Sequence, residues 1–161
     1  MKILFNDVSV YTEGLISSLL EQGYKGISIT TENDRQDFMQ FDKDVAKHPQ
    51  WIGRYVFFTT MDGEPVGFVS FDPRQKPTAI IGHNTISPEF KGKGLGEQQM
   101  LHALDEIKKQ GFTKAVVSTC NNDYFIPAQK MYKACGFQET GTFYKDGTET
   151  EMVGYKLDLT K

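Results

Sequence analysis

The run Ile86-Ser87-Pro88-Glu89-Phe90-Lys91-Gly92-Lys93-Gly94-Leu95-Gly96 constrains this chain more than any other stretch. β-type residues from Thr78 to Ser87 lead into it, and a helix-forming segment, Glu97-Gln98-Gln99-Met100-Leu101, leaves it. A strand that turns through glycines into a helix start aims several backbone N–H groups and the positive end of the helix dipole at one spot. Such a spot suits a phosphate or pyrophosphate. Glycine lets the backbone approach an anion with no Cβ in the way. The spacing excludes two common owners of such loops. A dinucleotide-binding GxGxxG fails because Glu97 stands three after Gly94, and a Walker loop fails because no Gly-Lys-Ser/Thr closes it. An ordinary flexible loop that uses glycine for its turns is the plain alternative.

The flanking pattern predicts how this junction is housed. Tyr11 to Gln22 carries Leu15, Ile16, Leu19 and Leu20 at helical spacing and stops at Gly23. Ile27 and Ile29 alternate in a short strand, Lys25 to Thr31. Asp34 to Lys47 reads as an amphipathic helix with Phe38, Phe41 and Val45 on its apolar stripe and an acid-rich, solvated face of Asp34, Asp37, Asp42 and Asp44. That face could also be a lip for a cationic substrate. Arg54 to Thr60 and Pro65 to Phe71 are strands joined around Asp62-Gly63, the strongest short-range hairpin signal. The helix after the loop runs from about Gly94 to Gln110, with Met100, Leu101, Leu104 and Ile107 inward, and Gly111 ends it. Ala115 to Thr119 is a compact apolar strand of the parallel kind. Thr78 to Thr119 is thus one right-handed βαβ unit. A last helix opens near Pro127 and stops at Gly136, and a hairpin of Gln138 to Tyr144 and Met152 to Leu159 closes the chain. The expected fold is α/β of the α+β type, with a mixed, mostly antiparallel sheet around that central unit.

At 161 residues the chain fits one domain, 1–161, with a real core. No apolar run reaches ~18 residues, so no membrane span is expected. A net charge of −3 argues against nucleic acid, whose binders are usually basic. Cys120 and Cys135 make no disulfide framework or metal motif, and His48, His83 and His102 are scattered. No metal is expected, and a cytoplasmic setting follows.

Two segments together carry a resemblance. Ile86-Ser87-Pro88-x-x-Lys91-Gly92-Lys93-Gly94-Leu95-Gly96, followed some way on by Pro127-Ala128-x-x-x-Tyr132-x-x-x-Gly136-Phe137, resembles the GNAT superfamily of N-acetyltransferases over about 78–137. The resemblance implies that Lys91, Gly92, Lys93, Gly94, Leu95 and Gly96 wrap the pyrophosphate of acetyl-CoA, and that the backbone of Thr85 and Ile86 bonds the pantetheine arm. It implies two parallel strands that splay apart, with the thioester between them. It also implies that Tyr132 protonates the departing thiolate while an amine of a small molecule or peptide attacks directly. A phenol near pKa 10 can share a proton with a thiol near 8.5.

Four positions depart from that pattern. Lys91 stands where Arg or Gln is usual, which keeps charge but loses the planar fork. Phe125 stands where many members have Asn, so Asn121 and Asn122 just upstream are weaker candidates for that cofactor contact. Ile80 and Gly82 occupy the positions of the usual base. His83 and Asn84 remain as strand candidates for catalysis, and alternation sends them to opposite faces. A satisfied strand histidine is the alternative for His83. Tyr155 is a further aromatic that could approach the thioester end. A non-catalytic module that senses acyl-CoA is the rival reading, the acceptor is not legible, and oligomeric state is open, a homodimer among the options.

Overall fold

The structure, a computed structural model, describes residues 2–24 and 32–161. Seven strands and four helices follow in the order β1 (Ile3–Asn6), α1 (Leu15–Gly23), α2 (Glu32–Lys47), β2 (Val56–Met61), β3 (Glu64–Asp72), β4 (Thr78–Ile86), α3 (Leu95–Lys109), β5 (Lys114–Cys120), α4 (Ile126–Ala134), β6 (Gln138–Tyr144) and β7 (Glu151–Asp158). The sheet order is β1-β2-β3-β4-β5-β7-β6. β4 and β5 run parallel, and their register covers only Thr78–Ile80 against Lys114–Val116. The pairs β1/β2, β2/β3, β5/β7 and β6/β7 are antiparallel. The mixed, mostly antiparallel sheet around one βαβ unit is therefore present. The strand expected at 25–31 lies outside the described residues. β1 was not anticipated. It pairs Ile3–Asn6 with Met61–Phe58 of β2.

The chain divides into two compact units, Met1–Ser70 with His83–Gln99 and Phe71–Gly82 with Met100–Lys161. In the first, Asp62 and Gly63 both take positive φ, 50° and 85°, the pair that a two-residue primed hairpin turn requires. The register between β2 and β3 then slips, because Thr60 pairs with Pro65 and Thr59 with Gly67. Val66 is the extra residue of this bulge. It leaves the side of Phe68 and joins Met61, Ile86 and Leu95 in a small core, while its carbonyl accepts from Ser87 N at 2.7 Å. Phe68 belongs to the larger core of Ile16, Leu19, Leu20, Phe38, Val45, Val56 and Phe58. That core seats α1 and α2, whose apolar stripes fall where their periodicity predicts.

Asp42 departs from expectation. Assigned above to the solvated acidic face of α2, it stands four after Phe38 and three before Val45, in phase with the apolar stripe, and is 3% exposed. The reason is α1, which begins after a left-handed Gly14 and has no side-chain cap of its own. Asp42 supplies it from the neighbouring helix: the N–H groups of Gly14 and Ser17 each donate to its carboxylate at 2.8 Å, and the Tyr11 hydroxyl donates as well. Burial, and then the carboxylate beside it, push the Tyr11 phenol well above its ordinary value, so it stays a donor. Asp42→Ala strands the Gly14 and Ser17 N–H groups, while the Tyr11 hydroxyl keeps the residue-42 backbone carbonyl as acceptor, and it is expected to lower stability by about 2–3 kcal/mol, read as a shift in urea midpoint at unchanged m-value.

In the second unit α3 buries Met100, Ala103, Leu104 and Ile107, whereas Leu101, expected inward, is 46% exposed. The inward stripe therefore runs through position 103 instead. Phe112 packs edge-on against Phe71, with ring centroids 5.3 Å apart, and Lys76 Nζ donates to the Gln110 carbonyl at the end of α3. β7 inserts between β5 and β6, pairing Tyr155 with Val117 on one side and Glu139 on the other.

Candidate functional site

The glycine junction has the geometry its sequence calls for. β4 ends at Ile86, a single tight turn covers Pro88–Phe90, and α3 starts at Leu95. Gly92 and Gly94 both take left-handed backbone, φ 79° and 76°. A Cβ built on Gly92 meets nothing within 4 Å, and one on Gly94 meets only Gln98 Nε2 at 3.8 Å, so both face open space. The glycines are there for backbone conformation and approach, not for tight packing. Gln98 N donates to the Gly94 carbonyl and closes the first helical turn. Among the described residues, the N–H groups of Gly92, Lys93, Gly94, Leu95 and Gly96 donate to no protein acceptor. Lys93 Nζ lies 5.7 Å from the Phe90 ring centroid, within reach of a cation–π contact.

Behind the loop, α3 reaches into the sheet through Gln99, which is 1% exposed. Its Oε1 accepts from Thr59 Oγ1 at 2.7 Å, and its Nε2 donates to Asn84 Oδ1 at 2.7 Å and to the Thr85 carbonyl at 3.3 Å. Gly67 is the backbone's concession to this crossing. A Cβ there would come within 2.4 Å of the Thr85 carbonyl. Gln99 was not singled out from sequence for a role, although it lies four before Ala103 on the buried stripe. A polar residue in a core phase was the available signal.

His83 and Asn84 separate as alternation predicts. Asn84 turns to Gln99, and the His83 imidazole packs against Phe38, Phe41 and Phe68 at centroid distances of 5.9, 5.7 and 6.1 Å. The His83 backbone N–H donates to Ser70 Oγ at 3.1 Å, and among the described residues its ring nitrogens have no partner. Burial among these rings holds the imidazole below its ordinary pKa, so it is neutral at pH 7. Thr85 and Ile86 are buried, and a Cβ on Gly23 at the end of α1 would strike Thr85 Oγ1.

In the second unit Tyr132 is 6% exposed on α4 and packs its ring against Phe137 at 5.8 Å and Tyr155 at 5.5 Å. The Tyr155 hydroxyl is buried and has no partner among the described residues; burial, then the charge of Glu139, raise its pKa. Asn122 caps the turn Asp123–Phe125 by accepting from Tyr124 N, and Asn121 Nδ2 donates to Glu151 Oε1. Both candidate asparagines therefore hold local structure. Among the described residues neither Cys120 nor Cys135 is in a disulfide. Among the described residues there is no cluster of three or more His, Cys, Asp or Glu side chains able to hold a metal, and no helix long and apolar enough to cross a membrane.

A strand, a left-handed glycine turn and a helix start with unused N–H groups form the central junction of an α+β protein. Its family is the acetyltransferase (GNAT) family, which matches residues 17–137, and the chain belongs to it. An N-acetyltransferase of Methanocaldococcus jannaschii, itself uncharacterized, is 27% identical over 134 residues, covering 68% of this chain and 58% of its own length. N-acetyltransferase family 8 member 3 of Mus musculus is 34% identical over 107 residues, covering 61% and 46%. The chain thus spans about half the length of these curated relatives. A protein assigned as an acetyltransferase in Salmonella typhimurium, solved with its cofactor acetyl-CoA, shares the fold at TM-score 0.77 and 17% identity, over 98% of this chain and 94% of its own.

Proposed function

We propose that this protein transfers the acetyl group of acetyl-CoA to an amine of a small molecule or peptide by direct attack. The observation that carries the reading is the loop, where two left-handed glycines border open space and a row of N–H groups at a helix start has no protein acceptor. A pyrophosphate fits such a cradle, with Lys91 and Lys93 adding charge. The backbone of Thr85 and Ile86 holds the pantetheine arm.

His83 is the base. Its neutral imidazole takes the proton that the amine sheds as its nitrogen bonds to the thioester carbon. Tyr132 donates a proton to the sulfur as the C–S bond breaks, so amine and thioester become amide and thiol with protons balanced. The lowered His83 pKa gives this a pH signature. The acid limb of kcat/KM is expected to have its midpoint below 6.5, the ordinary histidine value, and to disappear in His83→Gln. Stability obeys the same sign. The unfolded chain binds a proton near 6.5 that the folded protein refuses, so stability falls as pH drops below that value and is flat above it. Thermal melts between pH 5 and 8 check this second arm, with His83→Gln as the flat control.

The rival is an acyl-CoA-binding module without turnover, favoured by Ile80 and Gly82 at the positions where relatives carry a base. Incubation with acetyl-CoA and a panel of primary amines, read as free thiol, separates the two. Thiol release dependent on an amine supports transfer. Tight acetyl-CoA binding with no release for any amine supports the module.

A further inference from the structure

The side chain of Asn84 has one defined orientation, and the hydrogen bonds around it force that choice. The Thr85 carbonyl can only accept, so the end of Gln99 at 3.3 Å from it must be the NH₂. The other end, Oε1, then accepts from Thr59 Oγ1, which a hydroxyl can satisfy. The same Gln99 NH₂ lies 2.7 Å from the Asn84 amide, which must therefore present its oxygen. The Asn84 NH₂ is left pointing away from Gln99. Among the described residues it has no partner, and the residue is half-buried. An amide cannot serve as a base at neutral pH, so Asn84 can act only through these two donors.

We propose that the Asn84 NH₂ is a fixed hydrogen-bond donor to a carbonyl oxygen of the acyl carrier, and that Gln99 is its positioning residue. The inference rests on the acetyl-CoA reading above. Asn84 lies two residues before Ile86, on the strand end assigned to the pantetheine arm, and it projects to the side opposite His83, which serves the amine. Two oxygens share the required chemistry, the thioester carbonyl and an amide carbonyl of the arm. Gln99 is well suited to its role. It sits in the first turns of α3 and is fixed at both ends in the interior, so Asn84 is held without rotamer freedom.

Asn84→Asp tests this with little structural disturbance. An aspartate keeps the shape and still accepts from Gln99, but has no proton to donate. The expected result is a melting temperature within about 3 °C of wild type and an acetyl-CoA Kd weakened on the order of 10-fold, the loss of one hydrogen bond. The loss should persist at ~0.5 M salt, where repulsion between the new charge and distant phosphates is screened. Parallel titration with CoA assigns the oxygen: a loss for acetyl-CoA alone marks the thioester carbonyl, and an equal loss for both marks the arm. An acetyl-CoA Kd unchanged within about 2-fold, or a loss that salt abolishes, overturns the proposal. A wild type that binds neither ligand overturns the acetyl-CoA reading and this inference with it.

Discussion

Tyr132→Phe is expected to lower kcat about 100-fold while leaving the acetyl-CoA Kd within about 2-fold of wild type, because general-acid contributions run to 10²–10⁴. The substitution removes one oxygen from a ring that is otherwise fixed. Tyr132 is buried on α4 between Phe137 and Tyr155, and a phenyl ring keeps both contacts. Ring packing therefore changes little. The helix supports this economy, since Pro127 sits in its first turn, where a missing N–H costs nothing, and the last turn is tied back by Phe137 N to the Tyr132 carbonyl. Acetyl donors with thiol leaving groups of lower pKa should be less affected, since a better leaving group needs less help from an acid. A kcat equal to wild type would remove Tyr132 from the chemistry.

Gly94→Val carries the second large effect, a loss of acetyl-CoA affinity of at least ~100-fold, close to 3 kcal/mol. Two costs must be kept apart. A β-branched residue at φ 76° strains the fold by roughly 1–2 kcal/mol or somewhat more. That is affordable against the 5–15 kcal/mol of a typical domain. The larger cost falls on the ligand, because the new side chain enters the open space that the two glycines border. Gly94→Ala pays nearly the same backbone strain with one carbon in place of three. It is expected to lose stability comparably and affinity less. A valine variant that melts early but binds as wild type would show that the loop is conformationally strained and not the cradle.

What could be read from residues alone divides along a physical line. Signals carried within a few residues were legible: the Asp62-Gly63 turn, the stripes of α1 and α2, the glycine junction, and the helix bounded by Pro127 and Gly136. Those that depend on partners far along the chain were not. β1 is only four residues long, and it becomes a strand by pairing with β2 some 55 residues later. Nothing local says that β7 inserts between β5 and β6. Asp42 stands in the apolar phase of α2, four after Phe38 and three before Val45, but only the fold shows that a carboxylate is kept there because it caps another helix. Leu101 and position 103 lie about 200° apart around a helix, at opposite edges of the stripe of Met100, Leu104 and Ile107, and the apolar pattern alone does not say which edge is covered.

The same line crosses the site. The glycines, Lys91, Lys93 and Tyr132 belong to motifs and could be named. His83 and Asn84 could be named as the strand candidates for catalysis, His83 as a base, but not separated, because that depends on what faces them. The rings of Phe38, Phe41 and Phe68 leave His83 neutral with free nitrogens, and Gln99 turns Asn84 into a donor. Gln99 itself, the residue that joins α3 to β2 and β4, announces itself in the sequence only as a polar residue in an apolar phase. The asparagines Asn121 and Asn122, plausible by position, turn out to cap a turn and to bond Glu151.

The central claim is that the Lys91-to-Gly96 loop cradles acetyl-CoA and not some other phosphate compound. Equilibrium titration of the protein with acetyl-CoA, ATP and NAD under one set of conditions tests it most directly. The account predicts acetyl-CoA the tightest of the three by at least ~10-fold, a margin of about 1.4 kcal/mol, with that preference lost in Gly94→Val. ATP or NAD binding as tightly as acetyl-CoA, or a preference that survives Gly94→Val, would contradict it.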